Sequence, residues 1–250
     1  MNQETKQSFL NLWHKYFADA ELPMAFYYTN EETEEELVSA ETANRCLIAN
    51  LIRVRQGMPL RFNADSIGCG GGQRYCGFTY TLRENFEYFL SCGIPGKVEG
   101  ERYKKSPELV KEVMSRWPKF QAPGKFIVFK RWDQLQESDR PEVVIFFAKP
   151  DVLAGLFTLA SFDEVEADGV IAPFGAGCAT IVQYPYLEKD SGRPRCVIGM
   201  FDISARPYVP AGTISFAAPM NKFIRMVENM EESFLITSSW GVIHRRMEKD

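Results

Sequence analysis

Apolar runs of strand length alternate with helical patterns along this chain. The run Val143–Ala148 is apolar throughout, which suits a buried strand and falls far short of the roughly 18 residues of a membrane span. Residues 9–17 and 220–230 instead carry apolar side chains at helical spacing. Because strands that alternate with helices pack as a sheet covered by helices, the sequence predicts an α/β (or α+β) fold with a mixed sheet.

The predicted elements cover most of the chain, and their boundaries follow glycine, proline and capping residues. Further predicted strands are residues 24–28, 60–62, 125–130, 169–173, 196–201 and 213–218. Further predicted helices are residues 41–55, 83–91, 106–117, a helix capped by Asp151, and 177–187. With no internal repeat or linker among 250 residues, we expect a single domain over residues 1–250.

The net charge and the polar start of the chain indicate which kinds of partner are not expected for this protein. The chain carries 29 Lys and Arg against 33 Asp and Glu, a net charge of −4, which argues against a nucleic-acid partner. The start, residues 1–6, is polar and lacks the pattern of a signal peptide. We therefore expect a cytoplasmic protein with no nucleic-acid partner and no membrane partner.

The six cysteines, at 46, 69, 76, 92, 178 and 196, lie far apart in the sequence. Thiols stay reduced in the cytoplasm, so these residues are predicted to be thiols or metal ligands and not a disulfide framework. The C-x-x-C spacing of a zinc ribbon or a thioredoxin-type site is missing. Any shared site must therefore be assembled from separate parts of the fold.

Three consecutive glycines, Gly70, Gly71 and Gly72, follow Cys69 and precede Arg74 and Cys76. Glycine runs lose much backbone entropy on folding and suit positive φ or a close approach to another group. A flexible surface loop is the alternative. The nearby cysteines and arginine favour a functional loop in which Cys69 is open to a ligand or a metal.

A second small-residue turn surrounds Cys178, with Gly175 and Gly177 just before it. It is predicted to join a strand to a helix. Backbone N–H groups at a helix start bind anions and lower the pKa of a thiol. A helix start that needs small residues only for close packing remains the alternative.

The sequence does not indicate a catalytic site built on histidine. The chain has only His14 and His244, and neither has evident partners, so a Ser–His–Asp site is not expected. The segment from Gly68 also departs from the dinucleotide-binding pattern, because Gln73 stands where that pattern requires glycine.

Several segments, in order, resemble domain-of-unknown-function family 169, the uncharacterised archaeal and bacterial ArCR proteins. The resemblance rests on six segments: Pro23-Met24-Ala25-Phe26, Arg45-Cys46-Leu47-Ile48-Ala49, Asp65-Ser66 through Cys69-Gly70-Gly71-Gly72 and Gly77-Phe78, Gly175-Ala176-Gly177-Cys178-Ala179 with Pro185-Tyr186, Cys196 with Gly199, and Pro219. Gly70 departs from the proline that the family often has there. The resemblance brings no established activity.

The resemblance implies that Cys46, Cys69, Cys178 and Cys196 are the family-type cysteines, whereas Cys76 and Cys92 have no counterpart. Four thiolates are the ligand set of a [4Fe–4S] cluster or of a tetrahedral zinc ion. In this hypothesis the cluster is the first candidate and zinc the second. The role would be redox chemistry or activation of a small substrate, and the partner a small molecule or a redox partner. Amides of Gly70, Gly71 and Gly177 would donate to sulfur, and Arg45 or Arg74 would offset negative charge.

Two alternatives remain open at the level of sequence. One is a metal-free enzyme with Cys178 or Cys69 as a thiolate nucleophile. The other is a small-ligand or anion-binding protein without catalysis that uses the two glycine-rich turns.

Overall fold

One mixed sheet organises the chain, as the sequence predicts. The computed structural model describes residues 1–39 and 46–249, and eight strands pair within this part. They are β1 (Met24–Thr29), β2 (Glu36–Leu37), β3 (Leu60–Phe62), β4 (Phe126–Arg131), β5 (Val143–Ala148), β6 (Val170–Ile171), β7 (Cys196–Gly199) and β8 (Ile214–Pro219). The order across the sheet is β2-β3-β4-β1-β5-β8-β7-β6. The pairs β2–β3 and β6–β7 are parallel, and the others are antiparallel.

Helices cover both faces of this sheet. Those in the described residues are α1 (Gln3–Phe17), α2 (Leu47–Arg55), α3 (Gly70–Tyr75), α4 (Phe86–Phe89), α5 (Pro107–Ser115), α6 (Pro150–Ala160), α7 (Tyr184–Glu188), α8 (Met220–Glu228) and α9 (Ser238–Met247). A π-helical segment, Ala179–Gln183, leads directly into α7. In this part of the chain, every helix is too short or too polar to cross a membrane.

The sheet separates two hydrophobic cores, because successive side chains of a strand point to opposite faces. On one face, β1 contributes Met24 and Phe26 to a core with α2, the π-helical segment and α7. This cysteine-side core contains Cys76 and Cys178. On the other face, α1, α6, α8 and α9 form the opposite core, which contains Cys196.

Two predicted helix starts have different outcomes. Helix α5 begins as predicted, with Pro107 at its first position and the Ser106 hydroxyl accepting a 3.3 Å hydrogen bond from Leu109 N–H. The prediction that Asp151 caps α6 is wrong. Lys149 is the capping residue and Pro150 the first helical residue, because the fixed φ of proline suits that position.

Left-handed backbone shortens two predicted elements. The predicted helix over residues 83–91 is reduced to α4, because Asn85 before it has φ 59°. The predicted strand over residues 196–201 ends at Gly199, because Met200 has φ 66°. Residues 41–45 of the predicted helix 41–55 lie outside the described residues.

The buried Lys130 of β4 forms an ion pair with Glu35, which lies just before β2. The Lys130 ammonium lies 2.6 Å from a Glu35 carboxylate oxygen and 2.8 Å from an Asp139 oxygen. The Tyr27 hydroxyl also donates to Asp139 at 2.6 Å. Burial alone would raise the pKa of Asp139, but hydrogen bonds from Gln136 N–H, Lys130 and Tyr27 outweigh it and lower that pKa.

Candidate functional site

Cys46 lies immediately before α2, as its N-cap residue. Its side chain is half-buried. Burial raises the pKa of the thiol, while the backbone N–H groups of Ala49 and Ile48 favour the thiolate. Burial outweighs these amides, so the pKa of the Cys46 thiol lies above its usual value.

Cys69 is exposed and occupies the N-cap of α3. The prediction of a glycine-rich loop is wrong here, because Gly70, Gly71 and Gly72 form the first turn of this short helix. Close approach explains only the last of them, since a Cβ on Gly72 would lie 2.8 Å from the Ile67 side chain, while Gly70 has open space. The turn directs Cys69 to the surface beside Gly71, whose added Cβ would lie 3.7 Å from the Cys69 sulfur.

Cys76 ends α3 and is completely buried in the cysteine-side core. Its carbonyl oxygen accepts a 2.9 Å hydrogen bond from the Tyr28 hydroxyl. Burial raises the pKa of the Cys76 thiol, and the neighbouring Cys69 adds to the increase. The six residues of α3 thus connect an exposed thiol to a buried one.

Cys178 is buried where the predicted helix begins, directly before the π-helical segment. Burial raises the pKa of this thiol, and the charges of Cys76, Cys46 and Cys69 raise it further. The helix start therefore does not produce the acidic thiol that a nucleophile requires. This observation argues against Cys178 as the nucleophile of a metal-free enzyme.

Cys46, Cys76 and Cys178 border the cysteine-side core. Cys69 lies at the start of α3, where an added Cβ on Gly72 would lie 3.7 Å from the Leu47 Cβ of α2. We call these four cysteines the thiol cluster. Cys178 interacts electrostatically with each of the other three. Three of the four were selected from the sequence, but Cys76 was not. Only its closeness to the three glycines pointed to Cys76, because the sequence predicts a loop at this place and not α3.

Cys196 lies apart from the thiol cluster, contrary to the four-cysteine prediction. It is fully buried in the opposite core, with its sulfur 3.9 Å from the Met226 sulfur, and burial raises its pKa to about 12. The reason is strand parity: Cys196 faces the opposite core, whereas Gly199 packs on Thr180 of the π-helical segment. Cys92 is exposed beyond α4.

Arg74, one of the two predicted counter-charges, makes its contacts elsewhere. Arg74 stacks on Trp117, 5.2 Å from the ring centre, and donates to the Tyr80 carbonyl at 3.0 Å. Arg45 lies outside the described residues. The main charged groups that act on Cys46, Cys76 and Cys178 are other cysteines and Asp202.

Asp202 is a site residue that sequence reasoning missed. It follows β7 in a loop, where its carboxylate accepts a 3.1 Å hydrogen bond from the N–H of Gly177, one of the glycines predicted to line the site. Gly175 packs on the Tyr184 ring, with an added Cβ 3.1 Å from it. Only the position of Asp202 after a predicted strand could have signalled its role.

The donor set fits a thiophilic metal, because thiolates are the preferred ligands of iron–sulfur clusters and of structural zinc. The spacing is not that of a closed site. In the part of the chain described, no three His, Cys, Asp or Glu side chains are arranged to hold a metal ion. A metal centre at the thiol cluster would therefore need these side chains to change position.

The fit between Gly199 and Thr180 supports the Cys178 turn and gives a first prediction. Gly199→Ala would place a Cβ 2.1 Å from the Thr180 Cβ, and we expect this overlap to cost about 1–3 kcal/mol of unfolding free energy. Urea denaturation measures the change. Gly192→Ala is the matched control, because its added Cβ meets open space. Equal costs for the two variants would contradict the prediction, and adding Thr180→Ala should recover part of the loss.

Comparison with known proteins gives one match. No curated protein and no solved structure matches the chain. The family model described as DUF169, uncharacterised ArCR, matches residues 19–229. This match includes β1 through α8 and every member of the thiol cluster, and the chain therefore belongs to the DUF169 family.

Proposed function

We propose that this protein binds a metal centre through the thiol cluster, with Cys46, Cys69 and Cys178 as the main ligands and Cys76 as the fourth. The first candidate is an iron–sulfur cluster, and zinc is the second. The observation that carries the proposal is that Cys46, Cys76 and Cys178 border one core on one side of the sheet, with the exposed Cys69 at the start of α3. Separate segments of the chain supply them, so the fold itself assembles the set.

Electrostatics support a cationic occupant over an anionic one. If several of these thiols ionise, their charges repel one another and Asp202, and each raises the pKa of its neighbours. A bound cation removes that repulsion. The alternative of an anion-binding protein has less support, because the Gly177 N–H at this helix start already donates to the Asp202 carboxylate.

The chain's own residues would hold and shield such a centre. The amides of Ile48 and Ala49 would stabilise the Cys46 sulfur, and the buried Cys76 and Cys178 would exclude water from one side. A bound iron–sulfur cluster would supply one-electron transfer or activation of a small substrate. The partner would be a small molecule or a redox protein, in the cytoplasm, where thiols remain reduced.

Anaerobic purification followed by a visible spectrum and by iron, sulfide and zinc analysis tests this proposal. We expect stoichiometric metal, with visible colour if the centre is an iron–sulfur cluster. A colourless protein that contains no stoichiometric metal after anaerobic reconstitution with iron and sulfide, or with zinc, would refute it.

A further inference from the structure

A cavity of about 580 Å³ lies at the end of the central strand β5. It is lined by the connection from α1 to β1, the connection from β5 to α6, the loop before β8 and the last turn of α9. The strands β1, β5 and β8 are neighbours in the sheet, so their connections meet there. A volume of this size accommodates a small organic molecule, since ligand cavities measure about 300–1,000 Å³.

Buried aromatic rings form one wall of the cavity. Trp13 and Phe17 stack with their ring centres 4.3 Å apart, and the Phe146 ring lies 5.1 Å from that of Trp13. Each of these side chains is at most 2% exposed, so the rings are packed in place before a ligand arrives. Such a wall favours a ligand with an apolar body.

The turn after α1 brings a carboxylate to this cavity. Ala18 has φ 51°, a left-handed backbone that residues with a side chain rarely adopt. The Trp13 indole N–H donates to the Ala20 carbonyl at 3.0 Å, and the Ala20 N–H donates to the Phe17 carbonyl at 3.1 Å. These hydrogen bonds fix the turn, and Asp19 between Ala18 and Ala20 therefore lies at the cavity.

Negative charge predominates at the cavity. Its charged lining groups are the carboxylates of Asp19, Glu21, Asp151 and Glu248 and the ammonium of Lys149. Arg55 pairs with Glu21, with both N–O distances 2.5 Å. Arg246 pairs with Asp151 at 2.6 Å. Asp19 is exposed and pairs with no cation in the part of the chain that the structure describes, so its charge is available to attract a cationic ligand.

We propose that this cavity binds a small organic cation with an apolar body, of the class of aryl-alkyl amines. The ammonium group pairs with Asp19, and the apolar body packs against the wall that Trp13 and Phe17 form. The inference does not depend on the proposed function, because the cavity and the thiol cluster share no residue.

Three probes with one aromatic body separate the contribution of charge from that of apolar contact. They are 2-phenylethylamine, 2-phenylethanol and phenylacetate, which carry a positive, a neutral and a negative head group at neutral pH. Their dissociation constants for the full-length chain are measured by NMR titration at low ionic strength, where charge effects are least screened.

Two variants and one control locate the binding. Asp19→Asn removes the charge at an exposed position, and Ala211→Trp fills the cavity from the exposed Ala211 in its lining. Asp190→Asn is the matched control, because Asp190 is an exposed carboxylate at the other end of β5. Its neighbour Lys189 pairs there with Glu142, directly before that strand.

We expect the parent chain to bind the amine roughly threefold more tightly than the alcohol, as for one exposed ion pair, and to bind phenylacetate most weakly. Asp19→Asn should remove the advantage of the amine and leave the alcohol unchanged. Ala211→Trp should abolish binding of all three probes, and Asp190→Asn should change none. No saturable binding of the amine, tighter binding of phenylacetate, or binding that Asp19→Asn or Ala211→Trp leaves unchanged would overturn the inference.

Discussion

Lys130→Met is expected to lower the unfolding free energy by about 3–5 kcal/mol, because it leaves two buried carboxylates without their cation. The Lys130, Glu35 and Asp139 side chains are 3%, 9% and 3% exposed. One oxygen of Glu35 is already buried without a hydrogen-bond partner. Without the ammonium, the free-energy cost of burying both carboxylates would no longer be offset. Urea denaturation at neutral pH measures the loss.

Lys15→Met is the matched control, because the ion pair of Lys15 with Glu231 is largely exposed and its loss should change the stability little. The pH dependence gives a second readout. In the parent protein, lowered pKa values of Glu35 and Asp139 contribute stability that is present above their unfolded pKa and lost as pH falls. In Lys130→Met the unpaired carboxylates should have raised pKa values, so acidification from neutral pH should restore stability.

Equal stability losses in Lys130→Met and Lys15→Met would contradict this account of the buried pair. So would a variant that becomes less stable between neutral pH and about pH 5, because a buried carboxylate without a cation gains stability when it is protonated.

Strands and long helices were predictable from local patterns. The all-apolar run Val143–Ala148 forms β5 with the boundaries that the sequence predicts. Helix α5 likewise starts as predicted, with Ser106 as its cap and Pro107 as its first residue. In these segments, hydrophobic period and capping chemistry agree. The predicted helix over residues 83–91 is too long, because Asn85 adopts a left-handed backbone that depends on its tertiary surroundings.

The site was only partly predictable. Cys178 in its small-residue turn and Cys69 before the glycines have local signals, and both lie in the thiol cluster. Cys196 was selected through family resemblance, but a strand residue reaches one face or the other according to parity. A single sequence does not reveal which face of β7 meets the π-helical segment.

Asp202 and Cys76 required the fold. Asp202 reaches the site through the left-handed turn at Met200, and the hydrophobic pattern gives no sign of that turn. Cys76 is brought near Cys178 because α3 packs against the π-helical segment. Contacts between distant segments, and not the local sequence, therefore define half of the polar set around Cys178.

The metal content of Cys178→Ser beside that of Cys196→Ser tests the central claim most directly. Both cysteines are buried, so the two substitutions are matched in burial and chemistry, and they differ in the face of the sheet they alter. After anaerobic purification, we expect Cys178→Ser to lose most of its bound metal and Cys196→Ser to retain the parent's content. Loss of metal from Cys196→Ser with retention in Cys178→Ser would contradict a metal centre on the cysteine side of the sheet.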